Sequence, residues 1–134
     1  MYYGRAVDNT ILTAVNKIAS TQSKPTLKAQ IQANMLLDYL YTHPNAKVRF
    51  HASEMKLFVE SDAAYLVAPK TESRVAGYFY LGRIVTPASS TSKINAPVHV
   101  ECKLLRHVVS SVAEAETAEI YHNCYTTVSL RHII

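Results

Sequence analysis

Among the acidic side chains of this 134-residue chain, two stand where a carboxylate can do chemistry. The run Ser110-Ser111-Val112-Ala113-Glu114-Ala115-Glu116 reads as a helix start with two acids two residues apart, so the two point in different directions. Stepping by four from Val112 gives Glu116, Ile120 and Cys124, which puts Glu116 on an apolar stripe, while Glu114 falls toward Thr117 and Tyr121. An ionised carboxylate held against a core is costly unless a cation or a donor compensates it, so Glu116 suggests a metal ligand or a buried hydrogen-bonded group. The plain alternative is an acid favoured at a helix start by the macrodipole. The second candidate is Asp62, at the end of Leu57-Phe58-Val59-Glu60-Ser61, where Ala63 and Ala64 leave room for a partner to approach. An aspartate opening an ordinary turn would look the same.

Other chemistries are excluded by inventory. Glycines occur only at 4, 77 and 82, so there is no GxGxxG, no phosphate loop and no GxSxG elbow. The six histidines form no HxxxH pair and have no cysteine at zinc-ligand spacing. Cys102 and Cys124 make no CxxC, and no secretory leader is read at the start, which fits a reducing, intracellular location, cytoplasmic or nuclear. Apolar runs such as Ala63 to Ala68 fall far short of the ~20 residues of a bilayer span, so no membrane segment is expected. The net charge of +4 is a mild excess, but it is unevenly placed. No acid occurs from Ser73 to Val100, while Arg74, Arg83 and Lys93 lie in that stretch and Lys103, Arg106 and His107 follow. The segment reads as a solvated basic face or as a contact for a polyanion.

The elements that must position these residues follow from periodicity. Ile11, Leu12, Ala14, Val15 and Ile18 recur at helical spacing after Asp8 and Asn9, either of which can cap. Ser23-Lys24-Pro25 breaks the chain, and a second helix is predicted from about Thr26 until His43-Pro44-Asn45 stops it. From there the pattern turns β-rich, with strands predicted over Lys47 to His51, Lys56 to Ser61, Val75 to Leu81 and Pro97 to Cys102. The last two pair as a hairpin across a Ser/Thr/Pro-rich connection over 86–95. A final helix is predicted from Ser110 or Ser111, acting as cap, through Val128. The expected division is a helical connection over 1–46 and an α+β domain over 47–134.

Taken together, Ser61-Asp62-Ala63-Ala64-Tyr65, the run from Ser73 through Gly77-Tyr78-Phe79-Tyr80-Leu81 to Gly82, and Ser110 through Glu116 closely resemble the ribonuclease H region of copia-type retrotransposon polyproteins. Tyr2 through Asp8 and Leu36 through Pro44 are similar to the stretch that links reverse transcriptase to that region. The resemblance covers nearly the whole chain. It implies a helical hairpin followed by a partial ribonuclease H-like fold, a three-stranded antiparallel core sheet plus the first helix. It also implies a parent activity, metal-dependent hydrolysis of RNA in RNA/DNA hybrids, with Asp62 and Glu116 as catalytic and metal-binding acids. Glu114 matches the other acid of the motif and receives no catalytic role. Two Mg²⁺ (or Mn²⁺) ions about 4 Å apart would activate water and stabilise the leaving oxygen. Arg74, Lys103 and Arg106 would hold hybrid phosphates, with shape read rather than sequence. The partners implied are the hybrid and the remaining polyprotein domains.

The chain departs from the family pattern in two respects. A third carboxylate is expected on a strand after the helix; the only aspartates are Asp8, Asp38 and Asp62, and after Glu116 only Glu119, on the same helix, is acidic. Thr117 and Glu119 also replace residues that are apolar in the family's helix. Weak or absent cleavage and weak metal binding are therefore expected. The alternatives are a non-catalytic module binding nucleic acid or protein, and a decayed element remnant.

Overall fold

The structure, a computed structural model, describes residues 2–68, 72–84, 94–105 and 107–134. The chain separates into two compact units, Met1–Arg49 and Phe50–Ile134. Among the described residues the architecture is α+β, with four α-helices and one three-stranded antiparallel sheet. None of these helices is long and apolar enough to cross a membrane.

The first unit is helical, as the periodicity predicts. Helix α1 (Tyr2–Ala6) leads to Asp8, whose carboxylate accepts from the Thr10 N–H and caps a 3₁₀ turn (Asn9–Ile11) that runs into α2 (Leu12–Ser20). Helix α3 (Leu27–Thr42) begins after Thr26, whose hydroxyl accepts from the Ala29 N–H at 3.2 Å. Each cap satisfies a backbone donor that has no partner inside its helix.

The second unit carries strands β1 (Lys56–Ala68), β2 (Glu72–Gly82) and β3 (Pro97–Leu104), in spatial order β1-β2-β3, followed by helix α4 (Val112–Arg131). Strands β1 and β2 pair from Lys56↔Gly82 to Ala64↔Arg74, and β2 and β3 from Arg74↔Leu104 to Phe79↔His99, so the second pair forms the expected hairpin. Of the connection over 86–95, only Ile94 and Asn95 lie among the described residues. The strand predicted over Lys47 to His51 does not form. There the backbone hydrogen bonds of His51 go to a side chain instead: Asn95 accepts from its N–H at 2.7 Å and donates to its carbonyl at 2.9 Å.

Helix α4 packs on one face of the sheet. Val75, Leu105, Val109 and Ala115 form the buried cluster, with Ala63, Tyr65 and Ala118 against it. The helix comes close because β2 offers a glycine: a β-carbon on Gly77 would lie 2.5 Å from Asn123 Oδ1. Its start is a variant of the capping box, in which the acid reaches the residue before the cap. The Ser111 hydroxyl accepts from the Glu114 N–H at 3.1 Å, and the Glu114 carboxylate accepts from the N–H and hydroxyl of Ser110 at 2.7 and 2.8 Å.

Candidate acidic site at the strand–helix contact

The pleat of the sheet decides where the predicted residues point. Ser61, Ala63, Val75, Gly77 and Phe79 share the face that α4 covers, since Ser61 Oγ accepts from Asn123 Nδ2 at 2.8 Å and register sets Ser61 opposite Gly77. Phe58, Glu60, Tyr78 and Tyr80 share the other face, where Phe58 stacks on Tyr80 at 5.6 Å and Tyr80 donates to Glu60 at 3.2 Å. Asp62, paired with Ala76, alternates onto that second face, away from α4, and is exposed.

The helix phase also differs from the predicted one. Glu116 is exposed, and its supposed stripe partners Val112 and Ile120 are each 56% exposed. The face turned to the sheet is Ala115, Glu119 and Asn123, with Ala118 beside it. Glu119 is the buried carboxylate, 1% exposed. The single pocket expected for Asp62 and Glu116 is therefore corrected: one acid leaves the sheet on the far face, and the other lies on the outer side of α4. The pKa of Glu119 is raised chiefly by burial, with smaller contributions from the charges of Glu116 and Asp62.

Glu119 sits in a polar seam. Asn123 Nδ2, with two N–H groups to give, lies 2.9 Å from Glu119 Oε1, 2.8 Å from Ser61 Oγ and 3.1 Å from the Ala76 carbonyl, so one N–H is shared between two acceptors. The Asp62 N–H and the Ser61 hydroxyl lie near enough to favour the ionised carboxylate. Neither completes a hydrogen bond to Glu119 Oε2, which is buried without a partner among the described residues. An orphaned carboxylate oxygen is what a cation or a proton would satisfy. The wider donor set does not suit a two-metal centre: among the described residues no three His, Cys, Asp or Glu side chains come together to hold an ion. The residues present thus do not fit the pair of ions that the resemblance implies.

Among the described residues, the predicted basic side chains do not converge either. Arg74, opposite Leu104, lies on the face away from α4, whereas Lys103, opposite Val75, lies on the α4 face. Lys103 is tied to Glu101, which also accepts from Thr126 on α4 at 3.2 Å. Burial alone would raise the Glu101 pKa; the Lys103 ammonium and the Thr126 hydroxyl reverse that, and it ends below the usual carboxylate value. Arg106 and Lys93 fall outside the described residues.

Comparison of the chain with family models, curated proteins and solved structures finds no match. The residue that pattern reasoning missed is Glu119. The usable signal was its spacing of three and four from Glu116, Ala115 and Asn123, which makes a stripe of small and polar residues rather than of apolar ones.

Proposed function

We propose that this chain is a ribonuclease H-like piece of a copia-type retroelement polyprotein, in which hybrid hydrolysis belongs to the parent family and is weak or absent here. The observation that supports it most is the order of parts: three antiparallel strands in sequence, then a helix across one face, with Asp62 on the first strand and Glu116 early in the helix. In this reading Asp62 and Glu116 are the family's acids, and Mg²⁺ or Mn²⁺ is held weakly at most. Nucleic acid is engaged through scattered cations such as Arg74 rather than through a single patch. The test is incubation of the chain with a labelled RNA/DNA hybrid and Mg²⁺ or Mn²⁺. The expected result is trace cleavage or none, any trace being lost in Asp62→Asn and Glu116→Gln. Robust cleavage that depends on both acids would show the centre to be complete; robust cleavage indifferent to both would place the activity elsewhere.

A second reading, a non-catalytic nucleic-acid or protein interaction module, is favoured by the separation of Asp62 from Glu116 across the sheet. It expects hybrid binding that falls steeply with salt and is indifferent to divalent metal. Binding that requires metal would count against it.

A further inference from the structure

Strand β1 is a sheet edge, since it pairs with β2 alone among the described residues. Which of its backbone groups face outward can be worked out from β2. The Leu105 N–H donates to the Ser73 carbonyl, so odd-numbered residues of β2 bond toward β3 and even-numbered ones toward β1. Register pairs even with even, so the N–H and C=O groups of Leu57, Val59, Ser61 and Ala63 point off the open edge. Natural edges are blunted by proline, bulges, shortness or charged side chains; the charges of Lys56 and Glu60 are of opposite sign, so they complement rather than repel a second copy of the same edge. The stretch Lys56–Glu60 has no proline, and the irregularity of β1 comes only between Ala64 and Ala68.

We infer that β1 pairs with the β1 of a second copy of this chain, antiparallel and centred on Phe58, so that Lys56 of each copy faces the partner's Glu60. The side chains select this register. Centred on Phe58, Lys56, which also pairs with Glu54 of its own chain at 2.9 Å, meets the partner's Glu60 twice by symmetry, Leu57 meets the partner's Val59, and Phe58 meets its own copy. The last pair would extend the Phe58–Tyr80 stack into an aromatic row across the joined sheets. Centring on Glu60 sets Glu60 against itself, and centring on Ser61 sets it against the partner's Asp62. Centring on Val59 sets Phe58 against the partner's Glu60. Odd residues supply the outward hydrogen bonds in the chosen register, as the edge requires, and Glu119 with its seam on the α4 face is left untouched. The contact is short, well under the ~1,200 Å² of a stable interface, so the dimer is weak and concentration-dependent.

Sedimentation velocity of the full chain over a wide concentration series tests this. Mass should rise from one chain toward two. Glu60→Lys, which creates facing lysines, should shift dimerisation about tenfold or more to higher concentration. Lys56→Glu, which leaves the Tyr80–Glu60 bond in place, should do the same, and the double exchange K56E/E60K should restore pairing. Circular dichroism shows that each variant is folded. A monomer at every concentration, dimerisation indifferent to either single variant, or no recovery in the double exchange overturns the inference.

Discussion

Gly77 lies directly beneath the Asn123 amide, close enough that a single added methyl would collide with Asn123 Oδ1 at 2.5 Å and with the ring of Phe79 at 2.7 Å. Phe79 is fully buried, so neither neighbour can give way cheaply. Gly77→Ala is expected to push α4 off the sheet and to cost about 1–3 kcal/mol, the range for overpacking a filled core. Urea unfolding of the variant reads this as a lower midpoint at an unchanged slope. Gly82→Ala meets mainly the movable ring of Phe58 and should cost less.

Glu119 predicts a pH dependence of stability. Its folded pKa is raised above the ordinary value of 4.5, chiefly by burial. A carboxyl raised in the folded state binds its proton more tightly there than in the unfolded chain. Its contribution is therefore fully present below the unfolded pKa and is lost as pH rises through the folded one. Acidification from neutral toward 4.5 should strengthen the α4 contact, opposite to the usual acid response of a paired carboxylate. Glu119→Gln keeps an acceptor for Asn123 and removes the charge, so it should raise the urea midpoint at neutral pH and flatten that part of the profile. A variant weaker than the parent at pH 7 would mean that the ionised form is the one the seam was built around.

Much of the second unit could be read from residue order because its strands alternate and its turns carry their own chemistry. Ser111 acts as the cap of α4, where a serine before a periodic run predicts one; in the first unit Thr26, expected as the start of its helix, caps it instead. The phase of α4 could not be read in this way. Its buried side is Ala115, Glu119 and Asn123, while Val112, Ile120 and Val128 face outward, so hydrophobicity points to the wrong face. Pleat direction at Asp62 failed for a related reason: Ser61 rather than the aspartate meets the helix, and a one-residue difference in a strand reverses the face. Lys47 to His51 has a strand's composition, but the Asn95 side chain takes both backbone groups of His51, an arrangement with no local signal in sequence.

Asn95 is 5% exposed and spends its whole amide on the backbone. Its oxygen accepts from the N–H groups of His51 and Ala96, and its nitrogen donates to the carbonyls of His51 and Leu81. Asn95→Asp keeps the size, loses both donors and brings a charge against two carbonyls. Each orphaned buried group costs about 1–3 kcal/mol, so this nearly isosteric change should destabilise at least as much as Asn95→Ala. Hydrogen exchange should report it first at the His51 amide, which would lose protection in Asn95→Ala while the amides of β2 facing β1 keep theirs.

The start of α4 offers a prediction with a different pH signature. Ser111 Oγ accepts the Glu114 N–H, and the Glu114 carboxylate in turn holds Ser110. The Ser110 N–H and hydroxyl set the Glu114 pKa below the ordinary carboxylate value. A depressed folded pKa contributes stability that is present above the unfolded value and lost as pH falls through the folded one, the reverse of Glu119. Ser111→Ala should cost about 0.5–2 kcal/mol at all pH values, as loss of a helix cap does. Glu114→Gln should weaken the helix start at neutral pH and match the parent in acid. Glu119→Gln, measured beside it, should diverge from the parent at neutral pH in the opposite direction, because protonation relieves one end of the helix contact while it unties the other.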